Sequence, residues 1–260
     1  MLQTSIVEIS TLTEVDRATM FNLYRRNYDG GEPSVFYRDL DAKNCAVVLR
    51  DESAIIRGFS TVVVYDENFA GKPVRVLYSG DTIIEPAYWG QNQMSKAWLE
   101  LAGSIKQEAP DTPLYWLLIV KGHRTYRYLS LFSNDYYPRH DVETPIEMQS
   151  LMNYLAMRKF GDQYDATAGL VKFSGCRSYL SADLASIPDK DSGRLDVQYF
   201  LSRNPKYYEG DELLCVCELS ADNLTRLARQ WFEAGRLHSG RVRSAAVSHA
   251  GITDINQKAS

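Results

Sequence analysis

Residues 74–109 constrain the fold most, because they predict a β-strand, a short polar turn and a long amphipathic helix in direct succession. The turn covers residues 85–92, and the helix runs from about residue 93 to residue 108, before Pro110. The first N–H groups of a helix have no partner inside the helix and point at whatever lies in front of them. The segment therefore predicts a cradle for an anionic group such as a pyrophosphate.

The segments around this unit predict a mixed sheet. A short strand at 6–9 precedes a helix opened by the capping box Thr11-x-x-Glu14, and the turn signal 29–33 marks a loop that can lie over a cleft. Strands at 45–50, 55–65 and 74–85 are joined by short loops, which implies an antiparallel meander. The apolar run 114–120 is typical of a strand buried on both faces, so strand, helix and strand form a parallel crossover. We expect an α/β (α+β) fold with a mixed, mostly antiparallel twisted sheet flanked by helices.

The second half of the chain predicts further elements without an evident linker. Helices are expected at 125–132, from Thr144-Pro145-x-Glu147 to residue 160, and at 221–234 between a Ser220 cap and Gly235; strands are expected at 170–173, 197–201 and 213–219. We therefore expect a core at 1–145, a completion of the same domain at 146–237, and a disordered tail at 238–260.

Composition excludes several classes of function. The net charge of −4 disfavours a nucleic-acid partner, although arginines cluster near the C-terminus at Arg236, Arg241 and Arg243. No apolar stretch approaches the ~20 residues of a membrane span, and no signal peptide is evident, so a cytoplasmic location is expected. No zinc spacing and no other metal site is predicted, and the cysteines are expected to be buried thiols: Cys45, Cys176, Cys215 and Cys217.

The order of elements over about residues 5–137 resembles the GCN5-related N-acetyltransferase (GNAT) superfamily. In that family, the fourth strand and an Arg/Gln-x-x-Gly-x-Gly/Ala turn bind the pantetheine and pyrophosphate of acyl-CoA. Here Trp89 stands at the first Arg/Gln, while Asn92 and Met94 replace the small residues. The resemblance implies a CoA site formed by Thr82, Ile83, Ile84, Trp89, Gly90, Gln91, Asn92, Gln93 and Met94. The departures leave a carrier-protein phosphopantetheine open as the donor, and Trp89 is expected either to seal the helix start or to lie beside the cofactor.

The same resemblance implies where the chemistry occurs. In the family the fourth and fifth strands separate, and an amine meets the thioester in the gap, so proton-transferring groups are expected at the ends of these strands. Asp81 and Glu85 share a face of the fourth predicted strand, and His123 follows the fifth; each is a candidate base. Tyr128 takes the position of the family's acid if Lys121 stands at the family's Asn, and Tyr126 is the second choice.

Two classes of function stay open. One is an acyl-CoA-dependent N-acyltransferase that acts on an amine of a small molecule or on a Lys or ornithine side chain of a peptide. The other is a non-catalytic module that binds a pantetheine ligand or a protein partner. Segments 121–129 and 204–213 are similar to long GNAT-like bacterial proteins, some of which attach fatty acyl groups in peptide natural-product clusters, which implies a medium or long acyl chain. The extra C-terminal half is expected to enlarge the pocket or to build a homodimer interface.

Overall fold

An eight-stranded sheet organises the chain in the computed structural model, which describes residues 2–173 and 178–238. Its strands lie in the order β1 (Gln3–Glu8), β3 (Cys45–Arg50), β4 (Ile56–Phe69), β5 (Lys72–Ile84), β6 (Leu114–Val120), β10 (Glu212–Glu218), β8 (Leu170–Val171) and β7 (Tyr164–Asp165). Only β5 and β6 run parallel; the other neighbours are antiparallel. The predicted mixed, mostly antiparallel sheet is confirmed. Its one parallel pair follows from the helical crossover between β5 and β6.

Helices cover both faces of the sheet because its central strands bury alternate residues on opposite sides. Val47 and Leu49 face one core cluster, whereas Ala46 and Val48 face another. The first cluster lies under α3 (Gln93–Glu108), α4 (His123–Phe132), α8 (Leu195–Arg203) and α9 (Arg226–His238). The opposite face is covered by α1 (Glu14–Asn27), α2 (Pro33–Asp41) and α5 (Ile146–Phe160).

A small second sheet ties the two halves of the chain together. β2 (Tyr28–Asp29), at the end of α1, pairs with β9 (Tyr179–Leu180). Two short helices follow β9, α6 (Ala182–Ala185) and α7 (Asp189–Ser192). The backbone N–H of Ser181 also donates to the carbonyl of Asn27 over 3.0 Å. This segment of the C-terminal half therefore lies across the end of α1, close to the ends of β5 and β6.

Several predicted elements differ from the structure. The capping box of α1 uses Thr13 and Asp16 instead of Thr11 and Glu14, because residues 9–11 form a 3-10 turn that delays the helix. The predicted strand 197–201 belongs to α8, whose buried residues repeat with helical spacing. The loop predicted from the turn signal 29–33 is shorter than expected, because α2 begins at Pro33. From residue 239 onward, the tail predicted at 238–260 lies outside the residues that the structure describes.

Gly235 does not end the last helix as predicted, because α9 continues to His238. A Cβ at this position would lie 1.9 Å from the carbonyl oxygen of Glu100 in α3. Gly103 of α3 is equally close to Phe232 of α9. The two glycines therefore permit the backbones of α3 and α9 to approach each other closely.

Gly235→Ala is expected to lower the free energy of unfolding by about 1–3 kcal/mol through overpacking. Helix propensity alone would predict a gain of about 1 kcal/mol, so the sign separates the two effects. Gly193→Ala is the matched control, because Gly193 has a φ of −83° and no atom lies within 4 Å of a built Cβ. We expect the control to change stability by less than ~0.5 kcal/mol. Urea unfolding of both variants measures the difference, and a stabilised Gly235→Ala protein would contradict the packing argument.

Candidate functional site

β5 and β6 pair over a short stretch and then separate. Residues 75–78 of β5 pair with residues 114–117 of β6, while β6 continues beside β10 as far as Val120. The gap that opens between the two strands beyond these pairs is called the fork. At its base, Trp116 Nε1 donates a hydrogen bond to Ser79 Oγ over 2.8 Å. Among the described residues, β5 has no strand partner on its β6 side beyond Tyr78, so its backbone groups there are available to a ligand.

A β-bulge lies at the start of the fork. Gly80 and Asp81 of β5 together face the single residue Thr61 of β4. A Cβ at position 80 would lie 2.5 Å from Thr61 Oγ1, so a larger residue would not fit without displacement. Bulges bend a strand and re-aim the side chains beside them. Here the bulge accompanies the placement of Asp81 in the wall of a cavity.

The fork opens into a cavity of about 520 Å³, called the large cavity. One part of its wall is mostly apolar and comes from α3, β6 and α4: Met94, Trp98, Trp116, Leu118, Tyr128 and Phe132. The other part is polar: Tyr24, Tyr28, Arg38, Asp39, Asp81, Lys121, Ser178 and Glu212. An apolar wall with a few convergent polar groups is the usual composition of a small-molecule site.

Asp81 carries an unpaired carboxylate into the large cavity. It makes no hydrogen bond or ion pair with other residues of the described ranges. Burial and the nearby charge of Asp39 raise its pKa to about 7, although Lys121 and Lys43 act in the opposite direction. A carboxyl group that titrates near neutral pH is suited to take a proton from a substrate.

Lys121 enters the same cavity from the end of β6. Its Nζ lies 3.2 Å from Glu212 Oε1, donates to Ser178 Oγ over 2.9 Å, and lies 5.1 Å from the centroid of the Tyr28 ring. Burial raises the pKa of Glu212, and Lys121 partly offsets this effect. The cavity therefore contains an ion pair that is shielded from solvent beside the unpaired Asp81.

A smaller pocket of about 180 Å³, called the turn pocket, lies at the turn before α3. Six of the nine predicted CoA-binding residues line it: Thr82, Ile83, Ile84, Trp89, Gly90 and Gln91. It shares wall residues with the large cavity, namely Tyr28, Thr82, Gly122, Thr125, Tyr128 and Leu180. The two spaces therefore adjoin, and a long ligand can extend from the turn to the fork.

The other three predicted CoA-binding residues lie elsewhere. Asn92 is the N-cap of α3 without a side-chain capping bond, and Gln93 is the first residue of the helix. Met94 is buried in the same core cluster as Trp98 and lines the large cavity. Its side chain is therefore not exposed at the turn, because the second residue of α3 already faces the sheet.

Trp89 contacts the end of β5 and also lines the turn pocket. Its indole Nε1 donates to the carbonyl of Ile84 over 2.8 Å, yet 47% of the residue remains exposed. The guanidinium carbon of Arg124 lies 5.9 Å from the centroid of the Trp89 ring. Gly90 follows with a φ of 80°, a conformation that favours glycine. Trp89 therefore contacts the end of β5 and also lines the turn pocket.

Glu85 is separated from Asp81 and lines neither pocket. β5 ends at Ile84, and a 3-10 turn begins at Pro86, so the alternation that would place both carboxylates on one face stops before Glu85. Its carboxylate lies 3.0 Å from Arg26 Nη1 and 3.2 Å from Arg57 Nη1. Glu85, which the sequence predicts as an alternative base, is therefore ion-paired with two arginines.

His123 is fully buried and lines neither pocket. Within the described ranges, neither ring nitrogen has a hydrogen-bond partner. Burial and the neighbouring charge of Arg124 lower the pKa of His123 to about 4. The imidazole is therefore neutral at pH 7 and lies outside both pockets.

The two candidate tyrosines have different environments. Tyr128 lines both the large cavity and the turn pocket, and its ring centroid lies 5.5 Å from that of Phe132. Burial raises its pKa, so the hydroxyl stays protonated. Tyr126 is fully buried, and its hydroxyl donates to the carbonyl of Pro138 over 2.8 Å. Of these two candidates, only Tyr128 lines the region where the two spaces meet.

Sequence reasoning missed several residues of the site. Glu212 and Ser178 come from the C-terminal half, and Tyr28 and Asp39 come from β2 and α2. A charged residue directly before the apolar strand 213–217 was the available signal for Glu212. Nothing in the local sequence distinguishes Asp39 from other surface acids.

Two further observations concern only residues 2–173 and 178–238. No helix there is both long and apolar enough to cross a membrane. No group of three or more His, Cys, Asp and Glu side chains there has an arrangement that would hold a metal ion. The thiols of Cys45, Cys215 and Cys217 are free, and Cys176 lies outside the described residues.

Comparison with known proteins gives similarity only to solved structures, because no family model and no curated sequence matches the chain. A probable N-acyltransferase of Enterococcus faecalis V583 is 13% identical over 52% of this chain and 33% of its own, with a TM-score of 0.39, so the match spans about a third of that protein. Escherichia coli YhbS, a GNAT family N-acetyltransferase in complex with CoA, is 14% identical over 51% of this chain and 69% of its own, with a TM-score of 0.36. Arabidopsis thaliana NAA60 with a bisubstrate analogue is 12% identical over 55% of this chain and 89% of its own, with a TM-score of 0.36. Similarities of this size carry no functional argument.

Proposed function

We propose that this protein is a divergent member of the GNAT superfamily and an N-acyltransferase that moves an acyl group from acyl-CoA to an amine. The observation that carries the proposal is the fork, which has the unpaired Asp81 carboxylate on one side and the Tyr128 hydroxyl in the shared wall. A base and an acid thus line one space that adjoins the turn pocket. The acceptor is an amine of a small molecule or a Lys or ornithine side chain of a peptide.

The reaction needs only proton transfer and alignment from the protein. Asp81 takes a proton from the substrate ammonium, directly or through water, and the neutral nitrogen attacks the thioester carbon. A C–N bond forms and the C–S bond breaks, and the departing thiolate takes a proton from Tyr128. The amide nitrogen then loses its extra proton to solvent, and Tyr128 and Asp81 return to their starting states by exchange with solvent.

The turn pocket has features that suit the pantetheine end of CoA. Gly90 has no atom within 4 Å of a built Cβ, so the backbone is open to close approach. Arg124 lines the pocket, and one of its N–H groups donates to the carbonyl of Leu184 over 2.6 Å, which holds a cation near the turn. This cation supports binding of an anionic phosphate near the turn.

The apolar wall of the large cavity supports an acyl group longer than acetyl. The ring centroids of Trp98 and Trp116 lie 4.6 Å apart, and Phe132 lies within 6.4 Å of both. A methyl group would fill little of a cavity of about 520 Å³. Burying a longer chain against these rings contributes ~0.8 kcal/mol per methylene, so we propose a medium or long acyl chain.

Thermal unfolding with acyl-CoAs of increasing chain length tests the donor. A ligand at ~100 times its Kd adds about 2.7 kcal/mol of stability, which is roughly 5–10 °C for a chain of this size. We expect the shift to grow from acetyl to medium chains. A shift only with a pantetheinylated carrier protein would change the donor, and no shift with either donor would contradict the proposal.

Turnover separates the enzyme from a non-catalytic module. Release of free CoA thiol from the best-binding acyl-CoA is measured in the presence of lysine, ornithine and lysine-containing peptides. We expect thiol release that depends on the amine and yields an N-acyl product by mass spectrometry. Binding without amine-dependent release of thiol for any amine would favour the non-catalytic module.

A further inference from the structure

Three charged side chains lie around the fork, on or next to three neighbouring interior strands of the sheet. Asp81 is on β5, Lys121 follows β6, and Glu212 begins β10. The register that pairs Leu213 with Val120 brings Glu212 beside Lys121, and all three charged residues line the large cavity. The fork lies between the first two. Glu212 is supplied by the C-terminal half of the chain, whose strand β10 lies next to β6 in the sheet.

The lysine is held firmly on one side. Its Nζ lies 3.2 Å from Glu212 Oε1 and donates to Ser178 Oγ over 2.9 Å. An ammonium group has three N–H donors, so two are directed at these partners and one is left for the cavity. Glu212 has a side chain only 11% exposed, and its charge is compensated by Lys121. In so buried a pair, removing one partner exposes the full effect of the other charge.

The surroundings of Asp81 contain a second, separate charge pair. On the α2 side, Lys43 Nζ lies 2.5 Å from Asp39 Oδ1, so Lys43 offsets part of the effect of Asp39 on the Asp81 carboxyl group. The other charged or titratable groups around Asp81 include Arg38, which also lines the large cavity, and Lys159, whose Nζ lies 4.0 Å from the centroid of the Tyr78 ring. They also include the hydroxyls of Tyr24, Tyr28 and Tyr78, whose pKa values burial raises above the ordinary value. These tyrosines are neutral at physiological pH. Lys121 and Glu212 are therefore the pair through which the C-terminal half can act on Asp81.

We propose that Lys121 is a positioning residue whose ammonium is shared between Glu212 and Asp81, so that the C-terminal half of the chain controls the base on β5. The inference rests on the proposed function. When Asp81 is ionised, the lysine balances two carboxylates; when Asp81 has taken the substrate proton, the lysine balances Glu212 alone. Lys121 thereby favours the ionised form of the base without forming a direct ion pair with it.

Opposite effects of two single variants test this arrangement. Lys121→Met leaves the carboxylates of Asp81 and Glu212 without their shared cation. The acidic limb, meaning the rise of kcat/KM with pH, should therefore move to higher pH by about one unit. Glu212→Gln leaves the cation to Asp81 alone, so the limb should move to lower pH. The double variant should return towards the wild-type limb, because it removes one cation and one anion together and so leaves the net charge beside Asp81 unchanged. Arg158→Met is the control, since its pair with Glu67 lies outside both pockets, and its limb should not move.

Direct NMR titration of the Asp81 carboxyl in the protein without substrates separates this inference from the proposed function. Opposite shifts in the two variants support the shared lysine even if no acyl transfer is found. Shifts in the same direction, or no shift in folded variants, overturn it. If Lys121→Met does not fold, the double variant is compared with Glu212→Gln: adding Lys121→Met in that background should raise the Asp81 midpoint, and an unchanged midpoint overturns the proposal.

Discussion

Asp81→Asn should lower kcat/KM for acyl transfer by about 10²- to 10⁴-fold, the range that a positioned base contributes. The amide has nearly the size of the carboxyl group but cannot accept the substrate proton. Because Asp81 makes no hydrogen bond or ion pair with other described residues, the substitution breaks no contact among them. Steady-state kinetics with the best acyl-CoA and amine measure the effect, and a loss of less than threefold would remove Asp81 from the role of base.

The dependence of kcat/KM on pH tests the role of Asp81 independently. Only the ionised carboxylate accepts a proton, and the pKa of Asp81 is raised to about 7, chiefly by burial. Wild-type kcat/KM should therefore rise about tenfold per pH unit below pH 7 and level off above it. The Asp81→Asn profile should lack this limb. A variant profile with the wild-type limb would assign the titration to another group.

Stability distinguishes lost chemistry from a lost fold. The folded-state pKa of Asp81 lies above its unfolded value, so this group favours the folded state less as pH rises from the unfolded value towards 7. Asp81→Asn should therefore be at least as stable as wild type at pH 8, as measured by urea unfolding. Glu85→Gln is the kinetic control; it removes a carboxylate that two arginines hold outside both pockets, and kcat/KM should change by less than about threefold.

Tyr128→Phe should lower kcat by roughly 10²-fold with little change in the affinity for CoA. Phenylalanine keeps the ring that packs against Phe132 and removes only the hydroxyl that protonates the thiolate. CoA affinity is measured by calorimetry and kcat by thiol release. An unchanged kcat would exclude Tyr128 as the acid.

Tyr126→Phe is the matched control for this substitution. It also deletes one hydroxyl from α4, but that hydroxyl donates to the carbonyl of Pro138 in the core. We expect a loss of about 1 kcal/mol in the free energy of unfolding and a kcat close to wild type. The pair of variants thus separates a hydroxyl in the cavity wall from one that stabilises the fold.

The fold was predictable where local patterns are strong. The meander and the buried fifth strand follow from alternating and continuous apolar runs, and both are present as β3, β4, β5 and β6. The errors lie where tertiary contacts override local signals. Gly235 lies inside α9, where the backbone of α3 packs too closely for a side chain. Residues 197–201 belong to α8 although several of them favour strands.

The candidate site was predictable in part. The turn and the position of Asp81 follow from the sequence because each belongs to one continuous segment. Glu85 and His123 are chemically suitable but lie outside both pockets: Glu85 is paired with two arginines, and His123 is buried. No local pattern reports whether a side chain faces a cavity or a neighbouring helix.

By itself, the sequence determined the order of the elements and the strand–turn–helix unit at residues 74–109, because hydrophobic periodicity and helix-start signals act over a few residues. Only the tertiary structure decided which charges meet at the fork. Asp81, Lys121 and Glu212 are distant along the chain, and they come together because β5, β6 and β10 are neighbours in the sheet. The electrostatic environment of a buried carboxylate depends on these long-range neighbours, so the chemistry of the site emerges only when the sheet is assembled.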